Sequence, residues 1–270
     1  DAQIDGELEI TGDVSMTEFY SESTFTRLRG DGTVRINEMH VNTSDDLFDV
    51  SGSGELILEN SILMSDNVGT ISGWSIDFIN TEIEEQENGI VLLDVEATFS
   101  HVTIHRDFSD SDITSIGLRA VWSDLVMNDV TLTGWNEGVR CESDCKISDA
   151  SLTAGGGGRN VGTGLTIDGG AIQLHSLNTS SSNIGIDLID GEVHLSEWNV
   201  DVVHQNYGLQ LANDAAATIR NMPDYTSSGS YDGFGDGNLL WGSSGTPNLA
   251  ISFDEQFTES QVRVTDLVGV

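Results

Sequence analysis

The stretch "GIDLIDGEVHLSEWNV", residues 185–200, places Ile186, Leu188, Val193, Leu195, Trp198 and Val200 at its apolar positions. With Ile186 as position 0, these fall at 0, +2, +7, +9, +12 and +14. A spacing of two puts both members of each pair on one face of an extended strand, which a helical period would not do. The unit therefore reads as three short strands joined by two bends, all turning the same side inwards.

The same spacing recurs along the chain. It gives Leu165, Ile167, Ile172, Leu174 and Leu177 one copy earlier, and Leu118, Ala120, Leu125, Met127, Val130 and Leu132 before that. Ile90, Leu92, Ala97, Phe99, Val102 and Ile104 form another copy, as do Ile71, Ile76, Phe78, Thr81 and Ile83. Copies that begin at Thr26 and Phe48 need one extra residue in the first bend, and the fit weakens towards Leu8 and Leu209. About ten copies result, with a basic period of 21 residues. Such a period means stacked units, none of which can bury its apolar face alone.

The expected fold is all-β: a right-handed parallel β-helix, a solenoid of about ten coils with three short strands per coil. At a spacing of about 4.8 Å per coil, the rod would be on the order of 50 Å long. The irregular period and variable third loop resemble the right-handed pectate-lyase-like β-helices, over roughly residues 8–222. That resemblance rests on pattern, and it implies that core slots are structural while function lies on outward slots or loops. The expected organisation is a β-helix over 1–222, then loop and strands over 223–270 as a last coil, a cap or the lead into a further domain. The apolar end, Val268-Gly269-Val270, suggests part of a longer chain.

Charge bounds the partners. The chain carries 45 Asp and Glu against 10 basic residues, a formal net charge of −35, with Lys146 its one lysine. Such a surface repels nucleic acid and anionic lipid, and it favours a salty or calcium-containing medium that screens self-repulsion. No apolar run approaches the roughly 20 residues of a membrane span, so no direct membrane insertion is expected. Two glycosylation triplets, Asn42-Thr43-Ser44 and Asn178-Thr179-Ser180, fit a secreted or cell-surface location.

Cys141 takes position +2 of its coil, and Cys145 is expected to take the next inward slot, followed by Ile147, Ala150 and Leu152. Both sulfurs should point into the core across one tight bend. A disulfide and a pair of buried thiols both fit that placement.

Candidate chemistry sits in three places. The insertions at 105–117 and 153–164 follow coils with longer periods and project from one side of the rod. The first carries Asp107, Asp110 and Asp112, whose carboxylates suit calcium; a second calcium candidate is Asp232, Asp236 and Asn238 in "YDGFGDGN". The third place is the outward face of the first sheet, where Arg119 and Arg140 become neighbours and Asp168 and Asp187 lie diagonally on adjacent coils. Paired carboxylates at such a separation suit an inverting glycosidase, and arginine beside calcium is what the resemblance implies for a lyase.

Opposite charges on adjacent outward slots are also the ordinary way a sheet face stays soluble and paired. The Gly-His-Gly and Arg-Ile-Lys strings of polygalacturonase-like enzymes are missing; the nearest, Arg35-Ile36-Asn37, ends differently. The histidines, with His175 and His194 able to approach each other, read as surface residues. Trp74 and Trp122 lie at the first bend, and Trp135 lies in the loop "TGWNEG". The expectation is therefore a non-catalytic structural or adhesive rod presenting loops to a polysaccharide or a cell-surface protein. A lyase or glycoside hydrolase acting on Asp168, Asp187, Arg119 and Arg140 is the alternative.

Overall fold

A computed structural model of the protein describes residues 7–10, 12–21, 27–106, 115–156, 162–180, 184–200, 207–211, 216–220, 238–241, 249–253 and 262–265. Among these residues every regular element is a strand. Strands pair in parallel with their counterparts one turn away, which makes the fold a parallel β-solenoid of about 7 turns. That is fewer than the ten copies read from the sequence. Among the described residues the outermost copies contribute shorter strands, such as Glu7–Ile10 and Tyr207–Leu211.

The 21-residue ruler becomes a register. In the first sheet Ile90, Leu118, Val139, Leu165 and Ile186 stand in one column, each opposite the next. In the second sheet Ile76, Ala97, Leu125, Ile147, Ile172 and Val193 do the same. These side chains are buried and line one continuous core. Full burial of each such aliphatic side chain contributes about 1.5–3 kcal/mol, and stacking coils is the only way this chain achieves it. Aromatic rings reinforce the column: Phe78 meets Phe99 edge-on at 5.5 Å and Phe48 at 6.1 Å.

The corners are built from residues that tolerate left-handed backbone. At the bend between the second and third strands, Glu38, Asn60, Asn80, His101 and Asp129 all have positive φ. Asparagine accepts that conformation better than most residues because its short amide bonds locally. Here the amides also bond along the rod, Asn80 Nδ2 donating to Asn60 Oδ1 at 2.7 Å and Asn60 Nδ2 to Asn37 Oδ1 at 2.8 Å. At the next residue, Ser61 Oγ donates to the Glu59 carbonyl and accepts from the Met39 amide, so this core hydroxyl is satisfied.

The first bend corrects one reading. Cys141 and Cys145 are both fully buried and form a disulfide with Cα atoms 5.5 Å apart. Cys145, however, does not take the inward strand slot. Ile147 stands opposite Leu125, Ala150 opposite Leu174, and Leu152 opposite Val130, while Cys145 occupies the corner opposite Gly170. The reason is local: Ser143 and Asp144 both adopt positive φ, which tightens the bend and leaves one residue more at the corner.

Towards the C-terminus, Leu249–Phe253 pairs in parallel with Tyr207–Leu211, and Val262–Thr265 pairs with Ala216–Arg220. Asn238–Trp241 lies antiparallel on Leu249–Phe253.

Candidate functional site

The outward column of the first sheet runs as the period requires. Val91, Arg119, Arg140, Thr166, Asp187 and Gln210 stand opposite one another in that order. Two residues further along each strand, Val121, Glu142 and Asp168 form a second column. Its continuation differs from simple counting: Asp190, not Ile189, stands opposite Asp168, because the register slips between Ile167 and Asp168. Arg119 and Arg140 are thus neighbours, and Asp168 and Asp187 are diagonal.

The two arginines are tied up within the cluster. Arg119 donates from Nε and Nη2 to Glu142 Oε2, at 3.0 and 2.7 Å. Arg140 donates from Nε to Glu142 Oε1 and from Nη1 to Glu137 Oε2 at 3.2 Å, and its Nη2 lies 4.0 Å from Asp168 Oδ2. Glu142 therefore bridges two guanidinium groups. Burial alone would raise its pKa, but the hydrogen bonds and charges of Arg119 and Arg140 outweigh that and hold it below the usual carboxylate range. Burial likewise opposes the charge on Arg140, and the carboxylates of Glu137 and Glu142 reverse the effect and raise its pKa.

Asp187 behaves differently. Burial pushes its pKa up to about 6, the charges on Glu137 and Asp168 add to the rise, and Arg140 works against it. Its Oδ1 and the Oε1 of Glu137 are both buried and have no hydrogen-bond partner. A carboxyl whose pKa is raised to about 6 can donate a proton and take it back near neutral pH, the chemistry of a general acid.

Glu137 is the member of this cluster that alternation hides. Counting by two from Val139 and Cys141 assigns it to the inward set. Instead it begins the strand Glu137–Gly156 with its Oε2 accepting from Arg140 Nη1, which brings it into the cluster. Trp135 is a related correction. Placed in a loop by sequence, it ends the strand Asp124–Trp135, is fully buried, and donates from Nε1 to the Ile104 carbonyl at 3.3 Å. The Arg106 guanidinium lies 5.9 Å from its ring centroid.

Of the calcium candidates, Asp107, Asp110, Asp112, Asp232 and Asp236 lie outside the described residues. Asn238 begins the strand Asn238–Trp241. Among the described residues no three His, Cys, Asp or Glu side chains converge as a metal site. The histidines take separate partners: His101 lies 2.9 Å from Asp129, and His194 stands opposite Gln173 and 3.6 Å from Glu192.

No family model matches this chain, and the comparisons with curated proteins and with solved structures likewise give no match.

Proposed function

We propose that this protein is a non-catalytic, secreted or cell-surface β-solenoid: a stiff acidic rod with a structural or adhesive role, presenting its loops to a glycan or protein partner. The observation that carries this reading is the pairing of Arg119 with Glu142, and of Arg140 with Glu142 and Glu137. Arginines that stabilise a reacting sugar direct donors at substrate, whereas both of these direct Nε and one Nη nitrogen at carboxylates of their own sheet. Paired in this way, the cluster is a cross-coil tie. The buried Cys141–Cys145 disulfide supports an oxidising, extracellular environment. The net charge of −35 fits a medium rich in salt or calcium, with Asp107, Asp110, Asp112, Asp232, Asp236 and Asn238 as the calcium candidates.

One observation favours a second reading, a polysaccharide lyase or glycoside hydrolase working on Arg119, Arg140, Asp168 and Asp187. It is the raised pKa of Asp187 beside Asp168 and Glu137. A single experiment separates the two. The purified protein is incubated with neutral and anionic polysaccharides, with calcium and with chelator, and both chain cleavage and retention are read. Retention without cleavage is the expected result. Cleavage that is abolished in Asp187→Asn or Asp168→Asn would replace the adhesive reading by the enzymatic one.

A further inference from the structure

Trp122 is the anomaly of the first corner. It is the most exposed of the large apolar side chains described, at 62%. Its backbone is also left-handed, with φ of +51°. A bulky residue in that region is strained, and the equivalent corners of neighbouring coils use Gly73, Asp94, Asp144, Gly169 and Gly191 instead. Neither the core nor the bend requires a tryptophan here. The left-handed backbone belongs to the corner; the unexplained feature is a large exposed aromatic placed on it.

What surrounds Trp122 is a groove of about 460 Å³, lined by Gly73, Asp94, Glu96, Asp124, Asp144 and Lys146 among others. Its volume lies in the range of small-ligand sites. A second groove of about 500 Å³ shares Asp144 and Lys146 and continues along the same edge over Gly169, Gly170 and Gly191. The coil stacking thus makes a cleft parallel to the rod axis. Gly169, Gly170 and Gly191 line its far half beside Asp190 and Glu192, and Trp122 stands as the exposed aromatic plate of the near half.

We propose that this corner cleft binds an uncharged polysaccharide chain, with Trp122 stacking on the apolar face of one sugar ring. Tryptophan offers a large flat apolar surface at low conformational cost. The carboxylates of Asp94, Asp124 and Asp144 accept from sugar hydroxyls, and Lys146, held 3.4 Å from Asp124, supplies a donor. A lining of two tryptophans, exposed Trp122 and buried Trp74, among many polar groups suits a ligand that is itself hydroxyl-rich. The same carboxylates turn away uronate and sulfated chains, which the net charge of −35 also repels. The proposal rests on the adhesive reading and gives it a site distinct from both the loops and the arginine cluster.

The test is titration of the full chain with cellohexaose, maltohexaose and xylohexaose, followed by tryptophan fluorescence and calorimetry, with polygalacturonate and polylysine as charged controls. At least one neutral hexasaccharide should bind saturably at one site, with little dependence on salt, and Trp122→Ala should weaken it by about 10-fold. Trp122→Gly, which suits the corner backbone, should lose binding equally while the protein stays folded. Unchanged neutral-glycan binding in both variants overturns the site and leaves the adhesive reading standing. Polylysine binding alone, lost on adding salt, assigns the groove to non-specific charge and overturns the site. If the wild type binds no glycan and no cell-surface protein, site and adhesive reading fall together.

Discussion

Arg119 and Glu142, 23 residues apart in the chain, are joined by two hydrogen bonds to one carboxylate oxygen. The other oxygen of Glu142 receives Arg140, so one acid ties two coils. Its removal leaves both guanidinium groups short of a partner. Arg119 is half exposed, and water compensates much of that loss. Glu142→Gln should therefore lower stability by about 1–2 kcal/mol, read as a reduced urea midpoint at unchanged m-value. Because the pKa of Glu142 is depressed in the folded state, this stabilisation is present above the carboxylate's unfolded pKa and fades as pH falls through the folded one.

Asp187 gives the opposite slope. Its folded pKa of about 6 lies above that of an unfolded aspartate, so the native state holds the extra proton between the two values. Its favourable contribution is complete below the unfolded pKa and is lost as pH rises through about 6. Asp187→Asn should match wild type near pH 4 and exceed it by about 1–2 kcal/mol above pH 7, after allowance for partial exposure. Urea titrations across that pH range check both the sign and the window.

The Cys141–Cys145 bridge closes a short loop, with a sequence separation of 4. Loop-closure entropy then limits its contribution to about 2 kcal/mol. Ala120 occupies the slot next to Cys141 in the neighbouring coil, so alanine suits that position. The double variant Cys141→Ala/Cys145→Ala should stay folded and lose no more than about 2 kcal/mol, measured by thermal and urea unfolding.

Two positive-φ positions should respond in opposite ways. Gly69 has φ of +90°, and a Cβ there would lie 2.1 Å from the Phe48 carbonyl oxygen. The obstacle is backbone, which cannot swing aside, so Gly69→Ala should cost about 3 kcal/mol or more. Trp122→Gly relieves the corner strain while it adds chain entropy to the unfolded state, and stability should change by less than about 1 kcal/mol. Thermal unfolding of the two variants side by side tests the contrast.

The repeat of Ile186, Leu188, Val193 and Leu195 determined the solenoid, the inward slots and the neighbourhood of Arg119 with Arg140, because alternation and a fixed period are properties of the chain itself. Legibility ended at the corners. There a left-handed residue breaks the parity, and a count by two no longer tells in from out. Cys145 moved from strand slot to corner beside left-handed Ser143 and Asp144, and Trp135 from loop to core beside Gly134; Glu137 joined the arginine cluster through Arg140. Which carboxylates keep their protons was also invisible in one dimension. The raised pKa of Asp187 depends on its burial and on Glu137 and Asp168, which come from two other coils. Periodicity decided which residues face outwards; only the stacked coils decided which of them meet.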